Sequence, residues 1–318
     1  MGLRLVRHRT RESGEASWSL VRGDRALALE GRFATTGALL GSGVAAARAL
    51  AAGTDERSGV PLAELEILSP VTHPCRLIAL GMNFRAHANE IGLSEAPPLT
   101  LFRKSSASIC GPRDAIEKPD FVRLLDYEVE LGLVIGRATR GPLAVSAQNL
   151  HEIVGALVVG NDVSARDVQV AEGQFYRAKS FRTFTPTGPF LFVPDPAELA
   201  RWRELRLTLR VNGELRQDAA CGEMIHDPAH ALTEITRIED LDPGDLVLTG
   251  TPGGVALRPP PALVQRFAGL LPEARRFALF LAGQKRRREY LRPGDRVGAT
   301  IRTPDGAIDL GEQDNLVR

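Results

Sequence analysis

The segment Leu124–Gly136, LLDYEVELGLVIG, sets Asp126, Glu128 and Glu130 into a run of Val, Leu and Ile that reads as a buried strand. Side chains alternate along a strand, so the acids share one face while Tyr127, Val129, Leu131 and Leu133 share the other. Two carboxylates about 4 Å apart repel by ~4 kcal/mol at the effective dielectric near a protein surface. A hard divalent cation, Mg²⁺, Mn²⁺ or Ca²⁺, would relieve that repulsion, because these ions take oxygen ligands. Solvation at a sheet edge or pairing with arginines would relieve it too. A further ligand can come from VVGNDVSARDVQ, where an apolar strand runs into Asn161, Asp162, Ser164, Arg166, Asp167 and Gln169. Asp162 can complete a metal shell, or Asp162 or Ser164 can cap the helix that follows.

Three other stretches offer chemistry. Lys179, in RAKSFRTFTPTGPF, can bind a substrate carboxylate or stabilise an enolate oxygen, or can be a surface lysine. His87 and Glu90, in GMNFRAHANEIG, fall on one face if the segment is helical. A carboxylate there would orient a histidine acting as general base near neutral pH. In DLVLTGTPGGV, Gly250 and Thr251 offer backbone N–H and hydroxyl donors suited to a carboxylate or phosphate, although a tight turn uses the same residues and the GK[ST] ending of a P-loop is missing.

The elements that must position these groups are mainly strands. Short apolar runs, VELGLVIG, HEIVGALVVGND, GPFLFV, LRLTLRVNGEL, DLVLTG and DRVGATI, are separated by Gly, Pro and Asp turns, and Asn212-Gly213 suits a hairpin. Neither a regular βα alternation nor a GxGxxG fingerprint is present, which argues against a dinucleotide-binding domain. The first seventy residues read as short strands plus the Ala-rich helix GVAAARALAAG, with a soft boundary near Pro70 that separates a variable region, 1–70, from a catalytic region, 71–318.

A chain of 318 residues with net charge +1 has no global attraction to nucleic acid or anionic lipid, and it has no apolar run long enough to span a bilayer. The N-terminal residues lack the apolar core of a signal peptide, so the expected location is the cytoplasm. Cys75, Cys110 and Cys221 have no zinc or redox spacing and read as reduced thiols. Basic charge is almost wholly Arg, with lysine at Lys104, Lys118, Lys179 and Lys285; a retained amine can change its pKa, which a guanidinium cannot.

Taken in order, GMNFRAHANE, LLDYEVELGLVIG, GNDVSARDVQ, AKSFRTFTPTGPF, VNGELRQ and DLVLTGTPGGV resemble the fumarylacetoacetate hydrolase family from about Leu77 to Val255, resuming at LRPGDRVGATI. The resemblance implies an α+β, mainly β fold: a mixed β-roll catalytic domain with a small N-terminal α/β domain, paired as a homodimer. It implies that Glu128, Glu130 and Asp162 hold Mg²⁺ or Mn²⁺ and that His87 and Glu90 activate water. It further implies that Arg166, Gln169, Lys179 and Thr251, with Gly250 beside it, meet a small dioxo-acid substrate. Phe84 stands where many relatives have Tyr. The implied reaction is hydrolysis of a C–C bond in an acylpyruvate or fumarylpyruvate. Oxaloacetate decarboxylation, dioxo-acid or dienoate isomerisation, and hydration are alternatives on the same site, and a non-catalytic metal-binding homologue is a third class. The segment 257–291, ending in KRRRE, departs from the family pattern as a helical insertion. It is expected to narrow the pocket, add a dimer contact, bind an acidic partner or simply present a solvated basic face.

Overall fold

The computed structural model describes residues 1–10, 14–53, 59–90, 97–259 and 271–318. The architecture is α+β and mainly β. Its centre is the strand Val129–Ile135, buried along its whole length because both of its faces meet apolar layers. Tyr127, Val129, Leu131 and Leu133 enter the larger core, whereas Val134 joins a second core together with Ala156 and Val158. The alternation expected from sequence is therefore present, and the acids begin the face that Gly132 and Val134 continue.

Four strand ends converge beside Glu130. Val129–Ile135 pairs antiparallel with Val154–Asn161, placing Val129 opposite Asn161, and antiparallel with Leu246–Leu248. Leu246–Leu248 runs parallel to Leu77–Gly81, which pairs antiparallel with Thr100–Lys104. The start of one strand and the ends of its neighbours therefore release Glu128, Asp162, Thr251 and the His87 helix toward one place. This is a common way to build a site from rigid elements and short loops.

A second sheet of four strands packs its inner residues, including Leu207, Leu209, Val297 and Ile301, into the larger core. Its hairpin turns at Asn212 and Gly213, both with positive φ (52° and 81°), as the Asn-Gly signal requires. The N-terminal strands extend the central sheet: Leu3–Arg9 pairs antiparallel with Phe190–Val193, placing Leu3 opposite Val193. The Ala-rich segment forms the helix Val44–Gly53, with Ala47 buried against the second core. Within the insertion, residues 260–270 lie outside the described residues. The helix Glu273–Gln284 follows them, and its Phe280 and Leu281 pack on the larger core. Among the described residues, no helix is long and apolar enough to cross a membrane.

Candidate active site

Glu128, Glu130 and Asp162 are buried, and each offers an oxygen within 4.8 Å of the others. Three cationic side chains surround them. Lys179 donates to both Glu128 and Asp162, Lys104 donates to Asp162 and to the Phe184 carbonyl, and Arg166 donates to Glu128. Burial alone would push Glu128 up, but the charges of Arg166 and Lys179 override it and hold the group at about 2. Glu130 goes the other way: burial, then the charges of Asp162 and Glu128, push it well above the usual carboxylate range. Its Oε2 accepts from the Gly250 N–H at 2.7 Å, and it accepts from no cation among the described residues.

That imbalance tests the fit of a metal. Lys104 is driven down by burial, only partly offset by Asp162, and Lys179 is raised by Asp162 and Glu128 against its own burial. Even with those cations in place, burial and the neighbouring acids oppose ionisation of Glu130, so the cluster favours one more positive charge at its side. An all-oxygen donor set of buried carboxylates suits a hard divalent cation, and Mg²⁺, Mn²⁺ and Ca²⁺ all meet that description.

Asp126, expected beside these acids, stands outside the cluster. Strand pairing lapses between Leu125–Asp126 and Val129–Ile135, and Asp126 turns to accept from Arg166 Nε at 2.8 Å and from the N–H groups of Tyr127, Ala256 and Leu257 at 2.9, 2.8 and 3.1 Å. Arg166 thus links two carboxylates, and its Nη1 also donates to Gln169 Oε1 at 2.8 Å. The capping alternative is not taken up: the helix Arg166–Glu172 starts without a side-chain cap.

The Gly250 N–H, a possible donor to a ligand, instead serves Glu130, because a carboxylate buried at a strand end needs a donor. The position demands glycine, since φ is +89° and a Cβ would sit 2.6 Å from that of Asn83. Thr251 Oγ1 donates to the Val129 carbonyl at 3.0 Å and accepts from Gln217 Nε2 at 2.8 Å. Gln217 also accepts from the Val129 N–H at 3.0 Å, so this buried amide ties the TGTP turn to the acidic strand.

His87 and Glu90 lie on the helix Arg85–Glu90, and His87 is buried. His87 Nδ1 is 3.8 Å from Glu90 Oε2, beyond hydrogen-bond range, and has no partner among the described residues. Glu90 instead accepts from the Gly254 N–H at 3.1 and 3.2 Å and from Arg258 Nη1 at 2.7 Å. Burial would raise Glu90, but His87, Gly254 and Arg258 together hold it below the usual range.

A cavity of about 110 Å³ unites these groups: His87, Glu128, Glu130, Arg166, Lys179 and Thr251 all line it. Gln169 shares the lining, part of which is apolar, with Phe102 and Phe175 stacked at 4.7 Å between ring centres. The sequence-identified candidates are therefore brought together, with Gly250 just behind Glu130. Sequence reasoning placed neither Lys104, Gln217 nor Arg258 in the site. Lys104 left a faint signal as a lysine kept in an arginine-rich chain, Gln217 only its place at the end of the VNGELRQ motif, and Arg258 only its place in the inserted segment.

The profile of the fumarylacetoacetate (FAA) hydrolase C-terminal family matches residues 76–318. The chain is 35% identical over 209 residues to the mitochondrial oxaloacetate tautomerase Fahd2a of Rattus norvegicus, a match spanning 65% of each chain. Among solved structures it is similar to the fumarylacetoacetate hydrolase from psychrophilic Exiguobacterium antarcticum, with TM-score 0.73, 28% identity and 99% of each chain covered. It is also similar to the 2-hydroxyhepta-2,4-diene-1,7-dioate isomerase from Mycobacterium marinum, with TM-score 0.69, 25% identity, and 99% of this chain and 98% of that one covered.

Proposed function

The chain belongs to the fumarylacetoacetate hydrolase family, and from that premise we propose that it is a divalent-cation-dependent enzyme hydrolysing a C–C bond in a 2,4-dioxo acid to pyruvate and a carboxylic acid. The observation that carries this reading is that His87, with Glu90 on the same helix, lines the cavity together with Glu128 and Glu130, which cluster with the buried Asp162.

Those three acids would hold the cation, Mg²⁺ or Mn²⁺. When bound, it supplies Lewis acidity to the 2-oxo-acid head of the substrate. The protein's own groups do the rest. Arg166 fixes Glu128 and Gln169, and Thr251 keeps the turn at the cavity wall in place, so the substrate enters an organised site. Glu90 faces Nδ1 of His87, which leaves Nε2 to take the proton from a water molecule. The resulting hydroxide attacks the C4 carbonyl, the electron pair of the C3–C4 bond passes to the pyruvyl fragment as its enolate, and proton return gives pyruvate. Lys179, held in the same cavity by Glu128 and Asp162, contributes positive charge as the enolate forms.

A second reading follows from the contact of Glu90 with Arg258 in place of His87. Decarboxylation of oxaloacetate passes through pyruvate enolate and its tautomerisation through oxaloacetate's own enolate; neither requires activated water, and the rat relative bears a tautomerase name. Product-resolved NMR separates the two. The enzyme with Mg²⁺ or Mn²⁺ is offered acetylpyruvate, fumarylpyruvate and oxaloacetate, with EDTA as control. Metal-dependent release of pyruvate with the matching acid is expected, and Glu90→Ala should slow it by roughly 10²–10⁴-fold while substrate-analogue binding persists. Conversion of oxaloacetate alone, unaffected by Glu90→Ala, would replace hydrolysis with the second reading.

A further inference from the structure

One carboxylate oxygen has two suitors. Glu90 Oε2 lies 2.7 Å from Arg258 Nη1 and 3.8 Å from His87 Nδ1, so the guanidinium holds the oxygen that the imidazole lacks. His87 Nδ1 is buried and without a partner among the described residues. A buried ring nitrogen in that condition is costly, and its natural acceptor is one small side-chain rotation away. The Gly254 N–H reaches both Glu90 oxygens, so Glu90 can change its partner on one side while remaining anchored on the other.

Arg258 belongs to the inserted segment, and its backbone is fixed from behind. Gln284 Nε2 donates to the Arg258 carbonyl at 2.7 Å, and Tyr290 Oη donates to Gln284 Oε1 at 2.8 Å; both Gln284 and Tyr290 are buried. The Arg258 side chain stays 32% exposed. The preceding residue, Leu257, lines the cavity, as does His87, so Arg258 stands at the rim one carboxylate away from the interior. Inside, Arg166 and Lys179 are already engaged by acids, and the apolar part of the lining, Leu80, Phe102, Phe175 and Leu257, carries no charge. A substrate with a second carboxylate at its far end needs a cation there, and Arg258 is placed to supply one with the fork geometry that carboxylates favour.

We propose that Arg258 is a substrate-binding and positioning residue that withholds Glu90 from His87 in the free protein and exchanges it for the far carboxylate of a dicarboxylic 2-oxo or 2,4-dioxo acid. The exchange favours delivery of Glu90 to His87 when such a substrate is seated, so water is activated faster in its presence than with a monocarboxylic one. The proposal rests on the hydrolase reading for its consequence in turnover, but not for the binding step.

Two arms of one experiment keep these apart. In the binding arm, calorimetry with Mg²⁺ present compares 2-oxobutanoate with 2-oxoglutarate, which differ by the far carboxylate alone. Wild type should prefer 2-oxoglutarate, Arg258→Gln should lose that preference by about tenfold or more, the worth of one charge-assisted hydrogen bond, and Arg258→Lys should restore part of it. An equal preference in wild type and Arg258→Gln overturns the proposal, whatever the turnover. In the kinetic arm, Arg258→Gln should raise the KM for fumarylpyruvate about tenfold or more relative to that for acetylpyruvate, and raise kcat for acetylpyruvate because Glu90 is no longer held off His87. Equal loss of kcat on both substrates overturns the positioning role. Absence of turnover of both by wild type overturns the hydrolase reading and leaves the binding arm to decide on Arg258.

Discussion

The same pair of residue types, arginine and aspartate, occurs in two settings that differ in almost everything else. Arg166 meets Asp126 with side-chain exposures of 3% and 0%, whereas Arg296 meets Asp314 on the outer face of the four-stranded sheet with 60% and 45%. That outer face also carries Arg206 with Asp218 and borders an open groove of about 900 Å³, far larger than the cavity of about 110 Å³ at the acidic cluster. Neither size nor the number of charges marks the site. Burial does, because a charge taken out of water must be answered by a particular neighbour, while a charge in water is answered by solvent.

Lys104 should show the largest effect. Its ammonium is fully enclosed and answers Asp162 and the Phe184 carbonyl, so Lys104→Met leaves a buried acid short of a partner and should cost about 3–5 kcal/mol of stability. Urea denaturation reads this directly. A loss no greater than that of a surface substitution would mean that water reaches the cluster and that the contrast with the outer face is not one of burial.

Glu130→Gln sharpens the comparison within the cluster. The amide keeps the shape and removes a carboxylate whose ionisation burial and the neighbouring acids oppose, so metal-free stability should not fall. The affinity for Mg²⁺ or Mn²⁺ should fall by at least about 100-fold, or ~2.7 kcal/mol, since a ligand is lost. Titration calorimetry measures the affinity, and a retained metal affinity would remove Glu130 from the ligand set.

How far these contrasts were legible in the sequence depends on distance along the chain. The alternation of LLDYEVELGLVIG places Glu128 and Glu130 on one face by local geometry alone, and Asn212-Gly213 announces its hairpin in the same way. The partner of Lys104 lies 58 residues away and that of Arg258 lies 168 away, and no local pattern encodes either pairing. Asp126 shares the spacing of its neighbours yet leaves their cluster, because the lapse in strand pairing and the waiting N–H groups of Ala256 and Leu257 are tertiary facts. The joining of Leu3–Arg9 to Phe190–Val193 is likewise a long-range pairing, invisible to the composition shift near Pro70.

The pH dependence of stability should separate the two glutamates, with a smaller effect. Glu130 is raised in the folded protein, so above the unfolded value of about 4.3 the folded state holds a proton that the unfolded chain has released. Its contribution is complete below that pH and is lost as pH rises toward the raised value, by at most about 1.4 kcal/mol per pH unit. Glu128, held at about 2, behaves in the opposite sense: its contribution is present above the unfolded value and is lost as pH falls toward about 2. Denaturation of wild type and Glu130→Gln across this range should therefore diverge only on the alkaline side of the unfolded carboxyl value, and saturating Mg²⁺ should shrink the divergence. Parallel curves would show that Glu130 is ionised without help.

The smallest effect should come from the outer face. Arg296→Ala removes both contacts to Asp314, one of them at 3.1 Å, yet leaves no group stranded, because Asp314 is nearly half exposed and rehydrates at once. The melting temperature and turnover should match wild type, and raising the salt concentration should not distinguish the two proteins, since water and mobile ions already do what Arg296 does. A measurable loss would mean that this face is covered in solution, which would convert Arg296 and Asp314 into a buried pair of the same kind as Arg166 and Asp126. The test asks whether the contrast between the two regions is a property of the chain or of its state of assembly, and sedimentation of wild type and Arg296→Ala would say which.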